Sequence, residues 1–487
     1  MMRFSMANWA KVIIRKLVYT LAALSPRSSS KALFGSYKEG FSDNSKYLYL
    51  HWQQTKYIRC IWISGNREII EQLQNQDFEV YYRWSLKGVY HALTTKYYFY
   101  NSYIGDINQW LANGSTKVNL WHGLPMKKIE FDINTGPMAQ VFNPEGKLAL
   151  CKQWLFAHQQ RITPDLMLSP STLIDSLFSS AFRLNDSNTQ LAEDSNYDKA
   201  DGSDVHAAEG SDYHNADGSV TSGTKLLRAT NPRTDYYALD TSKRQPLDKI
   251  FSSITQENMQ PNSNDAFEQA ATFTPIPTPT PTPTPSIILY TPSWRDSHKQ
   301  GNPYSSAFDW QQLSNHLVAN NQLFLLRLHP NEASLADELT EYANIINISH
   351  LGDVYGFLQQ VDLLITDYSS LFIDALPLNT PICFYRFDEA HYQQDCRNIY
   401  DYATKLPDIA PKCTNFDELL QQLTPVKIAK QKPDCGDRYQ KDQQNNDQEN
   451  YQENYLEEYQ NVSELFWGKD TPNAFEALEG WVDKRRT

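Results

Sequence analysis

Apolar runs that end abruptly in polar side chains recur along this chain and predict the strands of a parallel sheet. In the second half they cover residues 287–290, 323–326 and 361–365, and each is apolar at nearly every position. Such runs are typical of strands that are buried on both faces of a parallel sheet. Residues 371–376 then have a helical pattern, and residues 381–385 predict the next strand. The second half is therefore expected to form an α/β domain.

Polar side chains follow each of these three runs and predict an anion-binding site. The residues are Thr366, Asp367, Ser369 and Ser370 after the third run, and Arg295 and His329 after the other two. Because the carboxyl ends of parallel strands meet at one edge of a sheet, we expect these side chains to converge there. Hydroxyl groups, basic side chains and the unpaired N–H groups of a helix N-terminus suit a pyrophosphate. A helix cap alone would explain the serines, but not the basic residues after the neighbouring strands.

A similar transition in the first half places a histidine on a short loop. The mostly apolar run at residues 118–121 leads into His122, which is followed by Gly123, Pro125 and Lys127. Glycine permits backbone conformations closed to other residues and proline stiffens a turn, so we expect His122 to be held in a fixed position. Histidine titrates near neutral pH, which suits a general base that takes a proton from a hydroxyl group. A purely structural histidine is the competing interpretation.

The first 32 residues have the pattern of an amphipathic helix that lies on a membrane surface. Apolar side chains recur there at helical spacing, and residues 1–38 contain seven basic and no acidic side chains. Such a helix places its apolar side in the membrane and its basic side chains towards anionic headgroups. It cannot span a bilayer, because Arg15 and Lys16 interrupt an apolar run that is already too short. A signal peptide with its apolar core at residues 17–24, or a helix packed on the protein body, is the alternative.

The net charge of the chain comes from two polar segments. Residues 185–225 carry a net charge of −7 and residues 434–460 carry −6, which together equal the −13 of the whole chain. Both segments are so poor in apolar residues that we expect them not to fold. The charge therefore describes these segments and says little about binding partners.

Length and composition predict two folded domains with an extended linker between them. A chain of 487 residues, of which 40% are hydrophobic, can bury more than one core. Residues 272–285 are rich in proline and threonine and predict the extended linker. We therefore assign an N-terminal domain to residues 33–250, including the disordered acidic insert, and a C-terminal domain to residues 286–425. Residues 426–487 are expected to form a polar tail with terminal helices.

The sequence lacks the patterns of several common sites. Its six cysteines show neither metal-ligand spacing nor the density of a disulfide-rich domain, which favours free thiols in a reducing compartment. Glycine-rich phosphate loops and Asp-x-Asp pairs are missing, so we predict no metal ligands and no required cofactor, with a divalent ion such as Mg²⁺ optional. Basic stripes with interleaved aromatic residues are missing after the first helix, which argues against a nucleic-acid partner.

A series of short segments, spread over most of residues 33–425, carries a family resemblance. The segments are Asp43-Asn44-Ser45-Lys46, Ile61-Trp62-Ile63 with Asn66, Leu120-Trp121-His122-Gly123 with Lys127, Pro232-Arg233-Thr234-Asp235, Tyr290-Thr291-Pro292-Ser293-Trp294-Arg295, Arg327-Leu328-His329-Pro330, residues 364–370, Phe387-Asp388 with Tyr392, Arg397, and Tyr400-Asp401-Tyr402. In this order they resemble the CDP-glycerol glycerophosphotransferase family, whose enzymes prime and polymerise teichoic acids and related capsule polymers.

The resemblance implies an architecture and a reaction. The architecture is GT-B, in which two Rossmann-like domains face each other across a cleft. The C-terminal domain is expected to bind CDP-glycerol with its pyrophosphate on the predicted anion site, and His122 on the N-terminal domain is expected to activate an acceptor hydroxyl. Glycerol phosphate then passes to a glycerol or glycerol phosphate hydroxyl of a lipid-linked or polymeric acceptor, with release of CMP. Arg295 and His329 are expected to neutralise charge on the phosphates. The residues expected on the acceptor side or in support of the site are Lys127, Arg233 and Asp235.

Several alternatives stay open at this level. The donor could be CDP-ribitol or another CDP-polyol, and the enzyme could be a primase or a polymerase. A GT-B glycosyltransferase that uses a nucleotide sugar, or an inactive membrane-peripheral scaffold, would also account for the fold. The final polymer and the oligomeric state, including a homo-oligomer, are not encoded in a recognisable segment. Because the activated donor is cytoplasmic and the acceptor lipid-linked, we predict a peripheral protein at the cytoplasmic face of the inner or plasma membrane, in contact with its anionic surface.

Overall fold

The computed structural model describes most of the chain. The described residues are 6–135, 138–184, 225–239, 285–295, 302–329, 331–339, 342, 344–351, 353–390, 392, 398–406, 408–424 and 446–486. Almost all of the predicted acidic insert, almost all of the predicted proline-threonine linker and Arg397 lie outside these residues.

The chain folds into two compact units. The first consists of Met1–His122, Lys128–Tyr236 and Leu465–Thr487, and the second of Gly123–Lys127 and Tyr237–Glu464. The second unit thus includes the short segment directly after His122, and the C-terminal residues belong to the first unit.

The described part of the first unit contains a parallel sheet of seven strands. The strands are β1 (Ser28–Phe34), β2 (Arg59–Ser64), β3 (Val80–Tyr82), β4 (Thr95–Tyr100), β5 (Thr116–Asn119), β6 (Leu166–Ser169) and β7 (Leu226–Arg228). They lie in the order β3-β2-β1-β4-β5-β6-β7, and each neighbouring pair is parallel. The direction of the order reverses between β1 and β4, and open α/β sheets bind ligands at the carboxyl edge beside such a reversal.

The described part of the second unit repeats this design with a parallel sheet of six strands. The strands are β8 (Ser286–Tyr290), β9 (Gln322–Leu326), β10 (Ile345–Asn347), β11 (Leu363–Thr366), β12 (Ile382–Tyr385) and β13 (Lys412–Cys413). They lie in the order β10-β9-β8-β11-β12-β13, again with parallel pairs throughout. The three apolar runs of the sequence are therefore the adjacent strands β9, β8 and β11.

Helices connect the strands of both units. Those with α-helical geometry are α1 (Met6–Ala22), α2 (Asp43–Thr55), α3 (Arg67–Gln74), α4 (Leu86–Thr94), α5 (Ala139–Phe142), α6 (Lys147–Phe156), α7 (Thr172–Ala181), α8 (Pro232–Leu239), α9 (Trp310–Ala319), α10 (Leu371–Ala375), α11 (Asp401–Thr404), α12 (Phe416–Gln422), α13 (Asn446–Trp467) and α14 (Ala474–Asp483). Parallel strands require such crossover connections, because a short hairpin cannot join them.

The central strands are buried on both faces, as their uniformly apolar sequences predict. In β1, Ala32, Leu33 and Phe34 have no exposed surface. Phe34 stacks on Phe99 of β4 with their ring centroids 5.2 Å apart, and its other neighbours include Trp52 at 6.0 Å. Aromatic pairs of this kind bury large apolar areas and fix the helix α2 against the sheet. The predicted α/β fold with parallel sheets is confirmed.

The N-terminal helix α1 packs on the first unit through polar and aromatic contacts. The Nζ atom of Lys16 lies 2.8 Å from Nδ1 of His158 and 4.9 Å from the centroid of the Trp154 ring. In contrast, Ile14 and Leu17 are more than half exposed. Lys16 therefore faces the protein body, whereas the sequence had predicted basic side chains directed towards lipid headgroups. Among the described residues, no helix is long and apolar enough to cross a membrane.

The prediction that residues 434–460 do not fold is wrong for the part that the structure describes. Helix α13 begins at Asn446, within that segment. Its later turns bury Tyr459, Val462 and Phe466. These side chains follow a helical spacing that continues beyond residue 460 and form an apolar stripe that holds the helix in place. The average composition of residues 434–460 conceals this stripe, because most of the segment is polar.

Candidate active site

His122 lies on a strained loop at the carboxyl edge of the first sheet. The loop follows β5, and its backbone takes positive φ angles of 51° at Trp121 and 146° at Gly123. Such angles are costly for a residue with a side chain, so Trp121 needs neighbours that hold it in place. The indole of Trp121 is buried and packs edge-on against Phe182 with a centroid distance of 4.8 Å. The imidazole of His122 is exposed at this edge, as the sequence predicted.

Two buried polar side chains hold the backbone of this loop. Nδ2 of Asn44 donates to the carbonyl groups of Leu120 and Trp121, at 3.1 and 2.8 Å. Nη1 of Arg233 donates to the carbonyl of His122 at 2.9 Å, and the N–H group of Arg233 donates to Oδ1 of Asn44 at 3.1 Å. Three successive carbonyl groups are thereby fixed by two side chains that are themselves buried. In this structure Arg233 holds the backbone beside His122, and a contact with the acceptor stays a prediction.

The hydrogen bond of the imidazole decides which of its nitrogen atoms can accept a proton. Nδ1 of His122 lies 3.2 Å from the carbonyl oxygen of Asn101. A carbonyl only accepts hydrogen bonds, so Nδ1 must carry the proton and Nε2 holds the lone pair of the neutral ring. Asn101 is itself fixed, because its side-chain oxygen accepts from both the N–H and the hydroxyl group of Ser45, each at 2.9 Å. This arrangement suits a base that acts through Nε2.

Asp235 and Lys127 take part in packing of their own units. Oδ2 of Asp235 accepts from the hydroxyl of Thr230 at 2.6 Å and from the N–H group of Ala474 at 2.7 Å, which ties the start of α14 to the first unit. Burial raises the pKa of Asp235 to about 6, although these hydrogen bonds oppose the shift. Lys127 belongs to the second unit, where its Nζ lies 4.7 Å from the ring centroid of Tyr392. Both residues support the structure in these positions.

A buried guanidinium joins the carboxyl ends of three adjacent strands in the second unit. Arg295 follows β8, Asp367 follows β11 and Asp388 follows β12. Nε and Nη2 of Arg295 donate to the two carboxylate oxygens of Asp388 at 2.9 and 2.8 Å, and Nη1 donates to Asp367. The side chains of Arg295 and Asp367 have no exposed surface, and that of Asp388 is 14% exposed. Removing either partner of such a pair would leave a buried charge without compensation.

This geometry corrects the direct roles predicted for Arg295 and Asp367. The sequence placed Arg295 against the phosphates and Asp367 in the pyrophosphate site. Both side chains are instead enclosed, and they hold the strand ends in register. Burial alone would raise the pKa of Asp367, but the positive charge of Arg295 and the N–H group of Ser293 outweigh it, so the pKa lies below its usual value. Asp367 is therefore an anion at neutral pH, and an anion in this position would repel a pyrophosphate.

Two aromatic rings pack against the guanidinium. The ring centroids of Phe387 and Tyr392 each lie 5.1 Å from the Arg295 guanidinium carbon. Tyr392 stacks on Tyr368 with a centroid distance of 4.0 Å, and Arg386 lies 4.8 Å from the centroid of Tyr368. Cation–π contacts of this kind gain strength when they are shielded from water. The loop after β11 is thus packed against the loops after β8 and β12.

His329 has the opposite proton arrangement to that of His122. Its Nδ1 accepts a hydrogen bond of 3.2 Å from the backbone N–H group of Asn331, so the proton of the neutral ring is on Nε2. The ring of Trp294 stacks on it at 5.2 Å with an interplanar angle of 10°, which fixes its orientation. An Nε2–H group can donate to a phosphate oxygen in either protonation state of the ring. His329 is partly exposed after β9, in agreement with the sequence-based placement at this edge.

The three predicted hydroxyl groups after β11 differ in their surroundings. Thr366 is fully buried, and its hydroxyl donates to the carbonyl of Thr291 at 2.7 Å. Its single proton is therefore committed to the neighbouring strand, and the donation to a pyrophosphate predicted for Thr366 does not occur in this structure. Ser369 and Ser370 are partly exposed in the loop that leads into α10. The phosphate contact predicted for these two serines stays a prediction.

Several residues of both sites were not predicted as site residues. Asn44 and Asp388 lie in segments that carried the family resemblance, but their side chains were given no role. Asn101 lay outside those segments. A buried asparagine directly after an apolar strand, as in residues 95–101, is the signal that could have identified Asn101. Among the described residues, no group of three or more His, Cys, Asp or Glu side chains could hold a metal ion.

Comparison with known proteins assigns the chain to a family. The model of the CDP-Glycerol:Poly(glycerophosphate) glycerophosphotransferase family matches residues 17–193 and 227–453. The chain belongs to this family. The teichoic acid poly(glycerol phosphate) polymerase of Bacillus spizizenii is 25% identical over 434 residues, which cover 86% of this chain and 89% of that protein. The teichoic acid glycerol-phosphate transferase of Staphylococcus aureus is 24% identical over 433 residues, which cover 86% of this chain and 90% of that protein.

Solved structures share the fold. The wall teichoic acid polymerase TagF superposes with a TM-score of 0.62 at 18% identity, over 99% of this chain and 98% of that chain. A histidine variant of TagF soaked with CDPG gives a TM-score of 0.63 at 19% identity, with the same coverage of both chains. Family membership confirms the prediction of a CDP-glycerol glycerophosphotransferase and favours it over a glycosyltransferase that uses a nucleotide sugar.

Replacing Asp367 with asparagine should destabilise the second unit, because Arg295 would keep its charge and lose one of its two buried partners. We expect the free energy of unfolding to fall by about 3–5 kcal/mol. Since the pKa of Asp367 is lowered, its contribution is present at neutral pH and is lost only as the pH falls below the usual aspartate range. Urea unfolding followed by circular dichroism measures the effect.

The matched control is Asp337→Asn, because Asp337 is 61% exposed and faces His350 at 3.6 Å in solvent. This change should alter the free energy of unfolding by less than about 0.5 kcal/mol. An equal loss in the free energy of unfolding of the two variants would contradict the structural role given to Arg295, Asp367 and Asp388.

Proposed function

We propose that this protein transfers glycerol phosphate from CDP-glycerol to the terminal glycerol hydroxyl of a growing, lipid-linked glycerol phosphate chain. The observation that carries the proposal is the pair of fixed histidines with opposite proton arrangements, within a chain of this family. Nε2 of His122 holds a lone pair, and Nε2 of His329 carries a proton. One ring is therefore arranged to accept a proton and the other to donate a hydrogen bond.

In the proposed reaction His122 is the general base. Its Nε2 takes the proton of the acceptor hydroxyl, and the oxygen attacks the β-phosphorus of CDP-glycerol. The new phosphorus–oxygen bond forms as the bond to the bridging oxygen breaks, and CMP leaves with that oxygen. The proton held on His122 is released to solvent afterwards. Positioning and electrostatic stabilisation dominate phosphoryl transfer, so a fixed base needs only moderate basicity.

The second unit supplies the donor site in this proposal. Ser369, Ser370 and the Nε2–H group of His329 hydrogen-bond the pyrophosphate oxygens and stabilise the charge that develops on CMP. Arg295 acts indirectly, because its bonds to Asp367 and Asp388 fix the loops that present these donors. Glycerol is favoured over ribitol as the polyol, since the relatives that cover 86% of this chain are glycerol phosphate enzymes. The ribitol phosphate polymerase of S. aureus matches only 28% of it.

Replacing His122 with alanine should abolish CMP release and leave the affinity for CDP-glycerol unchanged, because the base is lost and the donor site is not. We expect a fall of roughly 10²-fold or more in kcat, the range that general acid–base catalysis contributes. CMP release with a glycerol phosphate acceptor, together with isothermal titration of CDP-glycerol, measures both quantities.

The matched control is His350→Ala, since His350 is 61% exposed, pairs with Asp337 and has no role in the proposed reaction. It should release CMP at the wild-type rate. Normal turnover in the His122 variant, or weakened binding of CDP-glycerol with unchanged kcat, would contradict the proposed role of His122.

The reaction is proposed to need no metal cofactor, because Ser369, Ser370 and His329 are proposed to stabilise the charge on the phosphates at the edge of the second sheet. CMP release should persist at the same rate in the presence of EDTA. A loss of activity that Mg²⁺ restores would show that a divalent ion is needed to neutralise the pyrophosphate of the donor and the departing CMP.

The protein is proposed to bind peripherally to the cytoplasmic face of the membrane through the apolar side of α1. Ile13, Ile14 and Leu17 are 61%, 59% and 57% exposed, while Lys16 on the opposite side holds the helix to the first unit. Trp154 of α6, which contacts Lys16, is also half exposed. Such side chains are costly in water and gain about 1.5–3 kcal/mol each when they are buried in lipid.

The double change Ile14→Glu and Leu17→Glu should remove most binding to vesicles that contain anionic phospholipid, because two exposed apolar side chains proposed to enter the lipid become charged. Co-sedimentation with vesicles measures the bound fraction. Leu86→Glu is the matched control, since Leu86 is 92% exposed on a different helix. Unchanged sedimentation of the double variant would rule out α1 as the membrane contact.

A further inference from the structure

Asp106 is a buried carboxylate that the proposed reaction does not use. It ends a short 3₁₀ turn, Ile104–Asp106, and is 8% exposed. Its Oδ2 accepts hydrogen bonds from the backbone N–H groups of Asn101 at 3.2 Å and Ser102 at 2.8 Å. Burial raises the pKa of Asp106 to about 7, against the opposing effect of these N–H groups and of Arg83.

One of these contacts connects Asp106 to His122. The N–H group of Ser102 and the carbonyl group of Asn101 are the two ends of the same peptide group. The N–H end donates to Asp106 at 2.8 Å, and the carbonyl end accepts from Nδ1 of His122 at 3.2 Å. A single rigid peptide group therefore lies between a buried carboxylate and the imidazole ring.

We propose that Asp106 is a positioning residue that acts on His122 through this peptide group, and this inference rests on the proposed role of His122 as base. A carboxylate at the N–H end polarises the peptide and makes its carbonyl a stronger acceptor, because hydrogen bonds in series strengthen one another. The stronger carbonyl holds the proton on Nδ1 and stabilises the protonated ring. Asp106 thus does through one peptide what a carboxylate does when it bonds a catalytic histidine directly.

A structural role is the competing explanation, because a carboxylate that accepts two N–H groups also shapes the loop after β4. The two roles differ in their dependence on pH. A structural contact lowers activity by a constant factor, whereas the polarising effect requires the charged form of Asp106. The charged and titratable groups facing Asp106 from the neighbouring elements are Arg83, Asp43 and Tyr100. On the other side, Arg233 bonds the His122 carbonyl and Asp43.

The experiment compares wild-type protein with Asp106→Asn in two measurements. The first is kcat/KM for CDP-glycerol from mildly acidic to mildly alkaline pH. The variant should be slower by roughly threefold to tenfold at alkaline pH, a small part of the ~10²–10⁴ that acid–base catalysis provides. The difference should shrink as the pH falls below about 7, where Asp106 of the wild type becomes protonated.

The second measurement is NMR of isotope-labelled histidine, with the His122 signal assigned by its loss in His122→Ala. The wild-type ring should carry its neutral proton on Nδ1, and the ring in Asp106→Asn should shift towards a mixture of both forms with a lower pKa. This NMR measurement does not depend on enzymatic activity. If His122→Ala retains turnover, the proposed base is wrong, yet the NMR result still decides whether Asp106 acts on the ring.

Two further variants complete the test. Glu39→Gln is the control, because Glu39 is a nearby carboxylate that pairs with Arg83 at 3.2 Å rather than with the peptide of Asn101 and Ser102. It should leave the proton on Nδ1 of His122. If Asp106→Asn does not fold, Arg83→Gln should raise the pH at which the kcat/KM of the otherwise intact protein increases. Two results would overturn the proposal. In Asp106→Asn, the ratio of wild-type to variant kcat/KM would stay constant with pH and the proton of His122 would stay on Nδ1. In Arg83→Gln, the pH profile of kcat/KM would match that of the wild type.

Discussion

The buried guanidinium of Arg295 is the contact on which the geometry of the second unit depends. It bonds carboxylates that follow two other strands, so the ends of β8, β11 and β12 cannot move independently. Parallel sheets bring loops together at one edge, but they do not fix where the loops point. A buried charge is stable only when its partners of opposite charge lie close to it. The loops that carry these partners are therefore held in one arrangement. Ser369, Ser370 and His329 lie at the same edge, so we expect the fixed loops to hold them in position as well.

The first unit meets the same requirement with a neutral amide and a second buried guanidinium. The amide of Asn44 and the guanidinium of Arg233 bind three successive carbonyl groups beside His122, including that of Trp121 with its positive φ angle. Strain at Trp121 is acceptable because these bonds over-determine the loop. In both units, therefore, a side chain without a direct part in the proposed reaction fixes the residues that are proposed to carry it out. The two histidines then differ only in what Nδ1 faces: a carbonyl for His122 and an N–H group for His329.

Apolar runs were sufficient to predict the strands and the edge at which the site lies, because burial on both faces of a sheet leaves few other patterns. His122 lies at the carboxyl edge of the first sheet, and His329, Ser369 and Ser370 lie at that of the second, each directly after the apolar run that preceded it in the sequence. The direction of individual side chains could not be predicted in this way. Thr366 stands in the same polar segment as the serines, but its hydroxyl bonds the carbonyl of Thr291. Arg295 stands in the polar segment after β8, but it is enclosed by carboxylates and aromatic rings. Such outcomes depend on partners far away in sequence, as for Asp388, and local pattern carries no information about them.

Donor specificity is the property that tests the account most directly. Isothermal titration of the purified protein with CDP-glycerol, CDP-ribitol and UDP-glucose, followed by CMP release with a lipid-linked glycerol phosphate acceptor, measures it. The account predicts binding and CMP release with CDP-glycerol, and neither with UDP-glucose. Tight binding of UDP-glucose without a response to either CDP-polyol would leave the fold as described and contradict the transfer of glycerol phosphate.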